Sequence, residues 1–213
     1  MKRALLGLAL LAVACEPTAP VRDCGGCTYD FADTIPPDTA LVFHWPAARL
    51  PVRIFADPRG AMPTLVSLGI AAWEGQFLYG EFSGVRVTDS SQADVIFLWQ
   101  ALPPPDVPPD TVGPVPACDG ATTNPSVVFA DSSANVLHVV LSAKAGYTDA
   151  KVSACLRRVV IHELGHALGL LKHSPYGADI MNATPTVTTP SAEDRRTIKL
   201  LYHTRATVAP PPR

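Results

Sequence analysis

A single segment, HELGHALGLLKH starting at His162, constrains this chain more than any other feature of its sequence. Residues four apart on an α-helix project from nearly the same face, so the imidazoles of His162 and His166 can reach one metal ion. The carboxylate of Glu163 lies beside them and can take a proton from a water on that ion. Gly169 has no Cβ and can adopt the left-handed conformation that ends a helix, so the chain can turn His173 back toward the ion. The segment therefore predicts a helix that ends at a three-histidine zinc site.

The alternative interpretation is a buried helix with incidental histidines. A His-Glu-x-x-His pattern arises by chance about one time in a hundred in a chain this long. The added glycine and third histidine make a chance match rarer still. The pattern favours a catalytic zinc site, in which three neutral imidazoles leave one position open for water.

Six residues together resemble the signature of the metzincin zinc peptidases, and of their matrixin-like branch in particular: His162, Glu163, His166, Gly169, His173 and Met181. The eight-residue step from His173 to Met181 is the spacing that matrixin-like members show before the methionine of their Met-turn, which lies beneath the zinc. One departure from the family is that three residues, and not two, separate Gly169 from His173. The resemblance implies that His162, His166 and His173 hold one catalytic Zn²⁺, with Asp179 as the alternative third ligand.

The resemblance also implies peptide hydrolysis, in which Glu163 accepts a proton from the attacking water and passes it to the leaving amine. An extended peptide or protein substrate would add a strand to an exposed sheet edge. We expect this edge strand to comprise four residues: Val127, Val128, Phe129 and Ala130. Residues 182–189 are expected to wall the pocket for the side chain after the scissile bond. The alternative function is a cell-surface binding protein with a metzincin fold and little or no turnover, but such a protein has no need of the general base Glu163.

The rest of the sequence has the alternating strand and helix signals of one α/β domain. The chain has 213 residues, 47% of them hydrophobic, which is enough to bury a substantial core. Runs rich in apolar and β-branched residues predict strands at 50–56, 85–88, 93–99, 127–130 and 136–142. Helix signals are Pro63 before an apolar stripe, Thr148 or Asp149 as the cap of the zinc helix, and Ser191 before an acidic first turn.

This order of elements resembles the metzincin catalytic domain across about residues 40–205. The fold class it implies is α/β, with a five-stranded mixed sheet, an antiparallel edge strand, a zinc-site helix, a Met-turn and a C-terminal helix. We expect four segments along the chain: a signal peptide at 1–14, an N-terminal linker at 15–39, the zinc metallopeptidase catalytic domain at 40–205 and a Pro-rich tail at 206–213.

The start of the chain resembles a bacterial export signal. Lys2 and Arg3 form a positively charged n-region, residues 4–13 form an apolar h-region, and small residues precede Cys15. The apolar stretch is shorter than the ~20 residues that span a bilayer. Cys15 after small residues resembles the bacterial lipoprotein pattern, in which this cysteine carries the lipid. We therefore expect an exported protein that is either a membrane-anchored lipoprotein or, as the alternative, secreted or periplasmic.

Four cysteines remain if Cys15 carries a lipid, and an even number in an oxidising compartment predicts two disulfides. Cys24 and Cys27 flank two glycines and can form a local bridge, which leaves Cys118 to pair with Cys155. The competing interpretation of Cys24 and Cys27 as half of a second zinc site needs another close pair, which the sequence lacks.

Charge and composition bear on other partners and cofactors. The formal net charge of -2 gives neither a nucleic-acid footprint nor a polybasic membrane patch. Three scattered carboxylates in the Pro-rich loop at 100–125, those of Asp106, Asp110 and Asp119, are the only support for a structural Ca²⁺ beside the zinc. We expect a monomer whose partners are peptide or protein substrates, and whose membrane contact is limited to a lipid on Cys15.

Overall fold

The computed structural model of the chain describes residues 27–35, 39–100, 117–130, 136–144, 146 and 148–211. The predicted signal peptide, Cys15 and Cys24 lie outside the described residues, as does most of the Pro-rich loop, including Asp106 and Asp110. Within the described ranges, no helix combines the length and the apolar character needed to cross a membrane.

The described residues fold as an α/β domain around a mixed sheet. In chain order the elements are β1 (Asp33–Ile35), β2 (Thr39–Leu41), β3 (Val52–Ala56), α1 (Met62–Glu74), β4 (Gly84–Val87), β5 (Val95–Trp99), β6 (Cys118–Thr122), α2 (Pro125–Ala130), β7 (Leu137–Ala143), α3 (Asp149–Ala167) and α4 (Ala192–His203). The sheet has the strand order β4-β3-β5-β7-β6, in which β6 runs antiparallel to β7 and the other pairs are parallel. A separate antiparallel pair joins β1 to β2. The predicted five-stranded mixed sheet with an antiparallel edge strand and a C-terminal helix is confirmed.

The first helix packs its apolar stripe against the zinc-motif helix. α1 has a proline in its first turn, and the apolar stripe after it consists of Val66, Ile70 and Trp73, which follow one another at steps of four and three residues and are all buried. The indole Nε1 of Trp73 donates a 2.8 Å hydrogen bond to the carbonyl oxygen of Ile161 on α3. This contact fixes α1 against the turn of α3 where the zinc motif begins.

Side-chain caps fix the starts of α3 and α4. The hydroxyl oxygen of Thr148 accepts a hydrogen bond from the N–H of Lys151, so Thr148 and not Asp149 caps α3. At the start of α4 the Ser191 hydroxyl accepts the Asp194 N–H at 3.0 Å, and the Asp194 carboxylate accepts the Ser191 N–H at 2.8 Å. This reciprocal capping box confirms the helix start that the sequence predicts at Ser191.

The prediction of a strand at Val127, Val128, Phe129 and Ala130 is wrong, because these residues belong to α2. The N–H groups of Val127 and Val128 both donate to the carbonyl oxygen of Asn124, the residue before α2, at 3.0 and 3.1 Å. Phe129 is buried and stacks on Phe43, with ring centroids 5.2 Å apart. This packing, together with a proline at the first helical position, overrides the strand preference of the two valines.

The antiparallel edge strand is β6, whose sequence CDGAT has little intrinsic β-propensity. Its pairing with β7 runs from Cys118 opposite Ala143 to Thr122 opposite Val139. The predicted disulfide between Cys118 and Cys155 is present, with a Cα–Cα distance of 5.7 Å. β6 is therefore held by β7 on one side and by a covalent link to the first half of α3.

Part of the predicted N-terminal linker packs on the domain. Tyr29 is 7% exposed, and its hydroxyl donates a 2.8 Å hydrogen bond to the carboxylate of Asp194. The carbonyl oxygen of Phe31 accepts the N–H of Leu171 at 3.1 Å. Cys27 is disulfide-bonded. The segment from Cys27 to β1 thus contacts both α4 and the turn after α3.

Candidate metal centre

Three imidazoles converge at the C-terminal end of α3. The helix places His162 and His166 one turn apart, and the loop after it returns His173 to them. Nε2 of His166 lies 3.1 Å from Nε2 of His162 and 3.3 Å from Nε2 of His173. Two nitrogens bound tetrahedrally at about 2.0–2.1 Å to one zinc would be about 3.3 Å apart. The spacing of the three rings therefore fits a zinc ion between them.

Backbone carbonyls fix which ring nitrogen of the two helix histidines faces the other rings. Nδ1 of His162 donates to the carbonyl oxygen of Ile180 at 2.7 Å, and Nδ1 of His166 donates to that of Leu170 at 2.5 Å. A neutral imidazole has one N–H, so Nε2 of each ring carries a lone pair and no hydrogen. These two Nε2 atoms cannot hydrogen-bond to each other across 3.1 Å. Converging lone pairs fit a cation, and zinc-binding histidines commonly anchor their other nitrogen in this way.

Burial keeps these rings neutral. It lowers the pKa of His162 to about 4 and that of His166 to about 3, and it also lowers the pKa of His173. The neutral imidazole is the form that binds a metal. At neutral pH no ring has to lose a proton before it can serve as a ligand.

The turn after α3 depends on Gly169. This residue has φ +112°, and a Cβ there would lie 2.0 Å from the carbonyl oxygen of Phe43. The sequence prediction of a left-handed glycine at this position is confirmed. The turn contains the extra residue that departs from the metzincin pattern, yet His173 reaches the other two rings. Lys172, at the position where the pattern has its histidine, instead forms a 2.9 Å ion pair with Asp30.

Asp179, the alternative third ligand, is bonded elsewhere. It is fully buried, and its carboxylate accepts hydrogen bonds from the hydroxyls of Ser174 and Ser191, the latter at 2.7 Å. These contacts join the loop after His173 to the start of α4. Within the part of the chain that the structure describes, the candidate ligand group consists of the three histidines.

Met181 packs against α3 between the two helix histidines. It is fully buried, and a Cβ on Gly165 would lie 2.4 Å from its sulfur and 2.8 Å from Cζ2 of Trp73. The helix can approach so closely only because residue 165 is a glycine. The residue before Met181, Ile180, supplies the carbonyl oxygen that anchors His162. The segment predicted as a Met-turn therefore contacts the histidine group both by packing and by a hydrogen bond.

Glu163 faces the same cavity as two of the histidines. The cavity has a volume of about 320 Å³ and is lined by residues 120–125, Glu163, His166, Leu171 and His173. Burial raises the pKa of Glu163 to about 7, a hydrogen bond from Thr122 opposes this rise, and the negative charge of Asp119 adds to it. A carboxyl group with a pKa near neutrality is suited to accept a proton from water and to return it.

Of the three carboxylates that could bind Ca²⁺, Asp119 is the one that lies within the described residues. Its carboxylate lies 3.7 Å from the ammonium group of Lys144, and the side chain is largely exposed. This placement gives no support to a calcium site at Asp119.

The family model described as Matrixin matches residues 116–203. The match includes β6, the whole of α3 with its histidines, Met181 and α4, although it covers less than half of the chain. No curated protein matches the chain. With the mixed sheet and the three-histidine group, this match supports a matrixin-like, metzincin-like domain of the zinc metallopeptidase type.

Proposed function

We propose that the protein is an extracytoplasmic zinc endopeptidase that uses Glu163 as its general base. The observation that carries this proposal is a shared cavity. The buried carboxylate of Glu163 and the imidazoles of His166 and His173 line it, together with residues of the edge strand β6. A binding protein would have no need of a buried carboxylate at this position.

His162, His166 and His173 would hold the metal through Nε2. Zinc bound there would lower the pKa of a water molecule and polarise the scissile carbonyl. Glu163 would take a proton from the attacking water and deliver it to the nitrogen of the leaving amine. The carbonyl oxygens of Ile180 and Leu170 keep the hydrogens of the two helix histidines on Nδ1, away from the reacting atoms.

The substrate would lie extended along β6, which replaces residues 127–130 in this role. β6 ends the sheet, and residues 120–122 of this strand line the cavity. The outer N–H and C=O groups of an edge strand can pair with an extended peptide. Residues 182–189 remain the predicted wall of the pocket for the side chain after the scissile bond.

Export of the protein is also part of the proposal. It rests on the basic, apolar and small-residue succession before Cys15, and on cysteines paired as in oxidising compartments. A lipid on Cys15 would tether the peptidase to a membrane, and an uncut or unlipidated chain would argue against that tether.

The test uses the zinc-loaded chain and internally quenched peptides. We expect one zinc per chain, cleavage at internal bonds and loss of cleavage with a chelator. Glu163→Ala should keep its zinc and lose about 10² to 10⁴ in rate, because a general base contributes that much. His173→Ala should lose zinc affinity.

Two results would contradict the proposal. Undiminished cleavage by Glu163→Ala would remove the general base from the mechanism. Stoichiometric zinc binding by the wild-type chain, without cleavage of any peptide in a broad library, would favour the binding-protein alternative.

A further inference from the structure

The carboxylate of Glu163 is held by a side chain of the edge strand. The hydroxyl of Thr122 donates a 2.7 Å hydrogen bond to Oε2 of Glu163 and also lies 3.0 Å from the backbone carbonyl oxygen of the same residue. Thr122 is partly buried, and Glu163 is 5% exposed. A hydroxyl has one hydrogen, so it can donate to only one of these two acceptors at a time. Both acceptors belong to Glu163, so Thr122 remains hydrogen-bonded to this residue in either case.

The other carboxylate oxygen lies against a glycine of the same strand. A Cβ on Gly120 would be 2.7 Å from Oε1 of Glu163 and 2.7 Å from its Cγ. Gly120 and Thr122 are two residues apart on β6, so they face the same side of the strand. The strand therefore offers the carboxylate an open space at Gly120 and a hydrogen-bond donor at Thr122.

We propose that Thr122 is a positioning residue that orients the Glu163 carboxylate for proton transfer, an inference that rests on the proposed peptidase function. The bond to Oε2 leaves Oε1 as the oxygen free to accept the proton of the attacking water. When the carboxyl group holds that proton, the Thr122 hydroxyl can turn its own hydrogen to the Glu163 carbonyl oxygen. The edge strand then has two roles, because it pairs with the substrate and it also aims the general base.

The test compares Thr122→Val, which keeps the shape and removes the hydroxyl, with Thr122→Ser, which keeps the hydroxyl. Thr122→Val should lower kcat about tenfold, the factor that corresponds to one net hydrogen bond, while KM and zinc content stay within about twofold. Thr122→Ser should recover most of the lost rate. In the Glu163→Ala background, Thr122→Val should change the residual rate by less than about twofold, because the group it positions is gone.

Thr204→Val is the matched control. Thr204 is also a partly buried threonine whose hydroxyl donates to a backbone carbonyl oxygen, that of Leu200 at 2.7 Å, and it lies at the end of α4. This variant should leave kcat and KM unchanged.

A second measurement needs no activity and no zinc. In the metal-free chain, Thr122→Val should lower the urea midpoint of unfolding more in the wild-type background than in the Glu163→Ala background. A wild-type chain that cleaves nothing would refute the proposed function, while this coupling would still decide whether Thr122 holds the carboxylate. Equal kcat for Thr122→Val and wild type, equal losses in both backgrounds, or a serine variant as slow as the valine variant would overturn the inference.

Discussion

Gly165→Ala should destabilise the protein although it replaces glycine inside a helix. Alanine is the better helix former by about 1 kcal/mol. Against this gain, the new Cβ would lie 2.4 Å from the sulfur of Met181 and 2.8 Å from Cζ2 of Trp73. Both side chains are fully buried, and the Trp73 indole is anchored by its hydrogen bond to α3. Overpacking of this kind costs about 1–3 kcal/mol, and contacts this close belong at or above its upper end.

The expected net loss is about 1–2 kcal/mol of unfolding free energy, which corresponds to a fall in Tm of about 2–8 °C for a chain of this size. Zinc affinity should fall as well, because a displaced Met181 moves the neighbouring carbonyl oxygen that anchors His162. The assays are urea unfolding of the metal-free chain, which measures the net change in stability without a contribution from zinc binding, and a zinc competition titration of the folded protein.

Gly177→Ala is the matched control, since a Cβ there has no heavy atom within 4 Å and the residue does not have a positive φ. Its stability should stay within about 0.5 kcal/mol of wild type. A Gly165→Ala chain as stable as wild type, or more stable, would show that helix propensity outweighs the contact with Met181. The close approach would then not be what requires a glycine between the two helix histidines.

Two further predictions concern parts of the fold that hold the site. Replacing Cys118 and Cys155 together by alanine opens a loop with a sequence separation of 37 and should lower the free energy of unfolding in urea by about 4 kcal/mol. Free thiols at both positions of the wild-type chain in non-reducing peptide mapping, or a double variant as stable as wild type, would contradict this prediction. Burial, together with the negative charge of Asp194, raises the pKa of Tyr29 well above the ordinary 10.0. Above about pH 10 the unfolded chain therefore loses a proton that the folded chain keeps, and the free energy of unfolding falls as pH rises. Tyr29→Phe should be less stable at neutral pH but lose less stability between pH 9 and 11, and parallel curves for the two chains would refute the assignment.

The zinc motif could be predicted from the sequence because its chemistry is local. His162 and His166 need only helical spacing to meet, and Gly169 marks the turn that follows them. The disulfide was predictable because an oxidising compartment, which is itself a prediction, and the spacing of the other cysteines left few pairings. The contacts that orient the site come from distant segments, so local patterns did not reveal them.

The edge strand shows why the rest was not predictable. Val127 and Val128 have the stronger strand preference, yet they lie in a helix because Phe129 packs into the core. Residues 118–122 have a weaker preference, yet they form the strand because β7 and the disulfide hold them there. Only the cysteine at position 118 gave any signal that this stretch lies beside α3.

The capping box of α4 has a second role that its sequence pattern does not reveal. The Asp194 carboxylate accepts the N–H of Ser191, as in any such cap, and it also accepts the N–H of Ile180 at 2.8 Å and the hydroxyl of Tyr29. The carbonyl oxygen of Ile180 in turn accepts from Nδ1 of His162. One buried carboxylate therefore connects the N-terminal segment, the last helix and the first zinc-ligand candidate through successive hydrogen bonds. Burial raises the pKa of Asp194, and the hydrogen bonds from Ser191, Ile180 and Tyr29 oppose this rise because they stabilise the charged carboxylate. Loss of any of these donors should therefore weaken the hydrogen bond that anchors His162.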